Sequence, residues 1–178
     1  MDSGNHGYTA MRCGTKPRYM HTEKSALMKD LIVKLGFLEF PPAHTCDGGD
    51  NSPQITLAGL DAGAVAIMAV NPYHEPKCCT FSPWVIWNID PVPVVPAGIP
   101  KERLVTSPVR AVQGTNDLGA IGYSGPCPPR GSTIRYMFKV WGLDAPLDLP
   151  PGSDKHALVQ AMRGHVVQFG DTVAICTR

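Results

Sequence analysis

The residues equipped for chemistry gather in two stretches of this 178-residue chain. The first, Asn71 to Cys79, brings together an amide, an imidazole (His74), a carboxylate (Glu75) and two thiols (Cys78, Cys79). The second, Gly122-Tyr123-Ser124-Gly125-Pro126-Cys127-Pro128-Pro129, joins a phenol to glycines and prolines. A structural zinc site needs four ligands. His74, Cys78 and Cys79 complete such a set only if His44 and Cys46 meet them in space, so no metal is expected. Ser124 lacks the G-x-S-x-G elbow of a nucleophile, and no histidine can be assigned to it by spacing. His165 and Asp171 belong with a closing helix and strand. No catalytic residue and no cofactor is expected, and the chemistry on offer is reversible binding. Prolines stiffen the Gly122–Pro129 loop and leave little ordering entropy to lose on binding. Gly125 permits close backbone approach, and Tyr123 supplies a hydroxyl and an aromatic wall. Such a site suits a small anion or a head group. Arg135 can meet that anion or form a structural ion pair with Asp144 or Asp117. His74 can contribute an imidazole, or it can be a solvated loop histidine.

The elements that must position these residues read as mainly β. Glycine and proline contribute 18 residues each, a density hostile to long helices. Lys and Arg number 16 against 15 Asp and Glu, so the net charge of +1 gives no electrostatic case for a nucleic-acid partner. No apolar stretch is long enough to span a membrane, and residues 1–22 contain no secretory-type apolar run. A cytoplasmic location is therefore expected, with most of the six cysteines free and buried, although a disulfide is open. Residues 1–22 read as a loose extension and 23–178 as one domain. Lys24–Phe40 fits either a short helix or an irregular lead into a strand. Cys46–Pro53 is dense in turn formers and must be a loop. Ala64–Val70 and Pro83–Ile89 read as buried strands, and the prolines of Asp90–Pro100 make an extended connection unfit for a central sheet. In Thr133–Leu143, the residues Ile134, Tyr136, Phe138 and Val140 alternate onto one face. Asp154–Arg163 predicts a short helix capped by Ser153 or Asp154. The last strand is predicted over Val166–Phe169 or Thr172–Cys176.

Four stretches carry a family resemblance: HTCDGGDNSPQITL (His44–Leu57), VNPYHEP with FSPWVIWNIDP (Val70–Pro91), GTNDLGAIGYSGPCPPRGSTIRYMFKVWGLD (Gly114–Asp144) and LVQAMRGHVVQFGDTVAICTR. Together they resemble the phosphatidylethanolamine-binding protein family in its prokaryotic, Raf-kinase-inhibitor-like form. The resemblance implies a flattened antiparallel β-sandwich with one or two short peripheral helices and a small pocket for anionic groups. It places the ligand against Asn71, His74, Trp84, Tyr123, Gly125, Pro126 and Arg135. It further implies a phosphate or phospholipid head group as ligand, a kinase or protease as protein partner, and a homodimer. The pattern is altered here: Asn71 and Tyr73 replace the two aspartates of D-P-D-x-P, and Pro83 and Ile134 replace two histidines. A protein-interaction or inhibitor module with a vestigial pocket is the alternative expectation.

Overall fold

An eight-residue strand buried along its whole length needs apolar cover on both faces, and Ala64–Asn71 is such a strand. The computed structural model describes residues 28–72 and 80–178. The expected loose extension, Tyr73, His74, Cys78 and Cys79 thus lie outside the described residues. In chain order the strands are β1 (Lys29–Asp30), β2 (Ile32–Lys34), β3 (Ile55–Ala58), β4 (Ala64–Asn71), β5 (Phe81–Ile89), β6 (Val94–Val95), β7 (Leu104–Val105), β8 (Ala111–Gln113), β9 (Thr133–Leu143) and β10 (Val166–Thr177). One α-helix, α1 (Lys155–Ala161), precedes β10, and one turn of 3-10 helix covers Pro42–His44.

The larger sheet runs β1-β10-β9-β4-β5-β8-β7, and the smaller runs β2-β3-β6. All pairings are antiparallel except β1 with β10. Between the sheets lies a core that includes Val33, Ile55, Leu57, Ile67, Trp84, Ile86, Tyr136, Phe138 and Val140. Burying side chains such as Ile67, Ile86 and Phe138 contributes about 1.5–3 kcal/mol each. The opposite face of the larger sheet is covered by Leu147, Leu158 and Met162, which pack with Ala66, Met68, Val85 and Trp87. The expected sandwich is therefore present, with one peripheral α-helix among the described residues. Asp154 caps that helix, its carboxylate accepting the Ala157 amide at 2.9 Å.

Several local features have clear causes. In Thr133–Leu143 the buried positions fall on alternate residues, as the sequence pattern predicts. Asn88 sits at φ 50° in β5, where the register with β4 shifts. Its amide donates to the Leu147 carbonyl at 2.9 Å and accepts the Leu147 amide at 2.7 Å, docking the loop ahead of α1. Over its described part, the Lys24–Phe40 segment is two short strands and not a helix. Leu31 and Val33 are buried while Ile32 is exposed, the two-residue period of a strand. Gly170 permits this arrangement: a Cβ there would lie 1.9 Å from the Leu31 carbonyl oxygen. The predicted alternatives for the last strand fuse into one, because β10 pairs with β9 from Val166 to Thr177. The proline-rich connection contributes only the two-residue edge strand β6.

Candidate functional site

Two loops meet where the sandwich presents the start of β9 and the end of β10. Cys46 and Cys127 form a disulfide between them, with Cα atoms 5.4 Å apart. This corrects the expectation of free cysteines for this pair and removes Cys46 from any zinc set. Cys176 stays free and buried, and burial first, then the nearby Asp47, pushes its thiol pKa up. Among the described residues no cluster of His, Cys, Asp and Glu is suited to a metal.

The loops are held by a dense set of polar contacts. Tyr123 donates its hydroxyl to the His44 carbonyl at 2.9 Å and meets Trp84 edge to face at 5.6 Å. Trp84 donates its indole N–H to the Gln113 side-chain oxygen at 2.9 Å. The Gly125 amide donates to Asp50 at 2.6 Å, and a Cβ at Gly125 would lie 2.5 Å from the His44 carbonyl oxygen. Asn116 organises the neighbouring turn. Its amide nitrogen reaches the Pro83 and Gly122 carbonyls and the Ser124 hydroxyl, while its oxygen accepts the Leu118 and Ala120 amides. Arg178 grips Asp47 through two nitrogens, at 2.7 and 2.8 Å, and also donates to the Pro128 carbonyl. Burial holds the Tyr123 and Tyr136 hydroxyls well above the ordinary tyrosine range, so both are neutral near pH 7.

A cavity of about 330 Å³ opens beside this framework. Among the described residues it is lined by Asn71, Thr133, Ile134, Arg135 and Ile175. Thr133, Ile134 and Arg135 begin β9, and Ile175 pairs directly with Arg135 across the β9–β10 ladder. The expected structural ion pairs of Arg135 do not form. Asp144 bonds His165 at 2.8 Å and Asp117 bonds Lys155 at 2.5 Å. Among the described residues Arg135 has no ion-pair or hydrogen-bond partner, and it is exposed at the cavity. The nearby acids have cations of their own, Asp47 with Arg178 and Asp50 with Lys101.

Of the seven ligand-binding candidates, the structure brings Asn71 and Arg135 together in the cavity lining. His74 lies outside the described residues. Trp84, Tyr123, Gly125 and Pro126 are buried and stand in the loop framework rather than in the lining. Close approach and hydrogen bonding between the loops account for their burial. Thr133 and Ile175 are cavity residues that the sequence reading missed. Only the β9–β10 register could have revealed Ile175, since strand pairing across 40 positions is what places it opposite Arg135.

Comparisons with known proteins agree with this architecture. The family model for phosphatidylethanolamine-binding proteins matches residues 34–176. A UPF0098 protein of Pyrococcus abyssi is 43% identical over 142 residues, 79% of this chain and 80% of the relative. The UPF0098 protein YbcL of Escherichia coli K12 is 37% identical over 103 residues, 55% of each chain. Among solved structures, E. coli YbcL superposes with a TM-score of 0.73 at 23% identity, covering 83% of this chain and 98% of that one. The family homologue CT736 of Chlamydia trachomatis gives 0.70 at 24% identity, covering 86% and 99%. With the family model matched across most of its length, the chain belongs to the phosphatidylethanolamine-binding protein family.

Proposed function

We propose that this protein reversibly binds small anionic groups, phosphate or a phospholipid head group, at the cavity beside Arg135. The observation that carries the reading is the state of that guanidinium. It is exposed at a cavity and has no partner among the described residues, while Asp47, Asp50, Asp117 and Asp144 are each already paired. A planar guanidinium can hold two phosphate oxygens at once. Asn71 and the Thr133 hydroxyl add polar groups to the same lining. At about 330 Å³ the cavity stands at the small end of ligand sites, which suits a head group rather than a larger ligand. The protein acts as a binder and not as an enzyme in this reading. Ser124, the hydroxyl considered for catalysis, bonds the Asn116 amide at 3.0 Å. The test is an NMR titration of labelled protein with inorganic phosphate and with phosphorylethanolamine, following the amides of Asn71, Thr133–Arg135 and Ile175. Saturable shifts at these amides are expected. Their absence at millimolar ligand overturns the reading.

A second reading is supported by the disulfide-linked loops. Cys46, Asp47, Gly48 and Gly49 are exposed beside the exposed Cys127, Pro129 and Arg130. A cross-linked, proline-stiffened surface loses little entropy on docking, which favours a contact with a protein such as a kinase or protease. Inhibition assays against representative proteases and kinases, with a Cys46→Ser/Cys127→Ser control, check it. Equal inhibition by the control, or none by either protein, dismisses it.

A further inference from the structure

The Cys46–Cys127 bridge is set unlike the framework around it. Tyr123, Gly125 and Asn116 are buried, whereas both bridged cysteines are exposed. The surroundings of the two sulfurs also differ. Arg178 directs Nη1 to the Cys127 Sγ at 3.6 Å, while among the described residues no cation bonds the Cys46 sulfur. Cys46 is instead followed by the carboxylate of Asp47. The guanidinium is fixed where it stands. Asp47 takes its Nε and Nη2, the Pro128 carbonyl also accepts from Nη1, and the Arg178 amide donates to the Ser132 carbonyl. Asp47 thus occupies the other edge of the guanidinium, which lowers the attraction at Nη1 without cancelling it. A cation beside a sulfur favours its thiolate, and in thiol–disulfide exchange the sulfur with the more stable thiolate leaves faster.

From this asymmetry we propose that the bridge is a thiol-exchange site of fixed polarity, open to a reductant of the glutathione type. The attacking thiolate forms its new S–S bond with the Cys46 sulfur. The Cys46–Cys127 bond breaks, and its electron pair leaves on Cys127 as a thiolate beside Arg178. A second glutathione thiolate then attacks the glutathione sulfur of the mixed disulfide and releases Cys46. The bridge gains two electrons, and two glutathiones leave as one oxidised disulfide. Opening is local, because contacts on both sides of Cys46 outlast the bond. Tyr123 still donates to the His44 carbonyl, the Gly125 amide to Asp50 and the Cys46 amide to the Pro126 carbonyl. Cys176 takes no part, since it is buried and its thiol pKa is pushed up by that burial. The inference is independent of the anion-binding reading.

The test uses the full chain, its accessible free thiols first blocked with N-ethylmaleimide. The protein is treated with glutathione, quenched in acid, alkylated and mapped by mass spectrometry of its peptides. The glutathione adduct is expected on Cys46 at least about threefold more often than on Cys127, with Cys176 unlabelled before denaturation. Arg178→Gln should level that ratio. Arg178→Lys also gives up the two-pronged bond to Asp47 but keeps the charge, and it should keep most of the bias. A purely structural role for Arg178 would move both variants alike and overturns the polarity. Because the Cys127 thiolate can close the bridge again before the quench, each sulfur is also read alone. Iodoacetamide alkylation is followed against pH for Cys127 in Cys46→Ser and for Cys46 in Cys127→Ser, and Cys127 should be the more acidic. Equal adducts or equal acidities overturn the polarity. A bridge that resists both glutathione and dithiothreitol in the folded protein, or opens only together with Cys176 labelling, overturns the exchange site itself.

Discussion

The loop framework around Tyr123 and the cavity beside Arg135 are neighbours along the chain, separated by little more than the turn that begins β9. They differ in how their polar atoms are used. In the framework, Asn116 alone reaches five partners, Tyr123 and Trp84 each have an acceptor, and the Gly125 amide has a carboxylate. In the cavity, Arg135 remains without a partner among the described residues. The contrast separates two kinds of distinctive sequence. The glycine- and proline-rich motif is required by loops that approach within a Cβ of one another. The capacity to bind something else resides in a strand-end arginine that no local pattern singles out. A saturated network builds the rigid edge of the site, and an unsaturated cation gives that edge a use.

Breaking the framework should have the largest effect. The Cys46–Cys127 bridge spans a sequence separation of 81, so much of its stabilisation comes from restricting the unfolded chain. The Cys46→Ser/Cys127→Ser variant is expected to lose roughly 2–4 kcal/mol of unfolding free energy, read by denaturant titration. Asn116→Ala comes next. It leaves the Leu118 and Ala120 amides and the Gly122 carbonyl without their partner in a site that is 4% exposed. A loss of roughly 2–3 kcal/mol is expected, with a fall in Tm of about 4–12 °C. If either variant unfolds like the parent, the framework is less important than its contacts indicate.

The outline of the sandwich was legible because its strands obey simple periods. Ile134, Tyr136, Phe138 and Val140 alternate, and Ala64–Val70 is an uninterrupted apolar run. The Lys24–Phe40 stretch of sequence was ambiguous, since Leu27, Leu31, Ile32 and Leu35 fit a helical period as well as a strand. Gly170 and Asp171 split the pattern of the last strand, and only its pairing with β9 carries it through. The disulfide was not legible, because pairing among several cysteines is fixed by the fold and not by spacing. The isolation of Arg135 was hidden for a similar reason. It depends on Lys155 taking Asp117 and on His165 taking Asp144, contacts separated by 38 and 21 positions.

Tyr123 sharpens the comparison at a smaller scale. Removing its hydroxyl in Tyr123→Phe strands the His44 carbonyl and should cost about 1–2 kcal/mol. The same residue predicts an alkaline limit. Burial raises the folded-state pKa of Tyr123 and Tyr136 above the ordinary value of 10.0, so the folded form retains protons that the unfolded chain gives up. Their contribution is fully present below pH 10 and is lost as pH climbs from there through the folded values. Melting temperatures measured between pH 8 and 11 should be level at first and then fall above about pH 10, with a shallower fall in Tyr123→Phe. An unchanged slope in that variant would show that Tyr123 does not carry the effect.

Arg135→Gln should have the smallest effect on stability and the most selective effect on function. The side chain is exposed and has no partner among the described residues, so its loss should move the unfolding free energy by no more than about 0.5 kcal/mol. Glutamine preserves length and some hydrogen bonding but removes the charge and the two-pronged geometry. Loss of a charge-assisted contact worth about 1.5–3 kcal/mol corresponds to a phosphate affinity at least tenfold weaker. The two readouts must be taken together. Weakened binding with unchanged melting keeps the cavity and the framework distinct, as proposed. Lower melting with unchanged binding would instead make Arg135 part of the framework and would move the search for the anion site elsewhere.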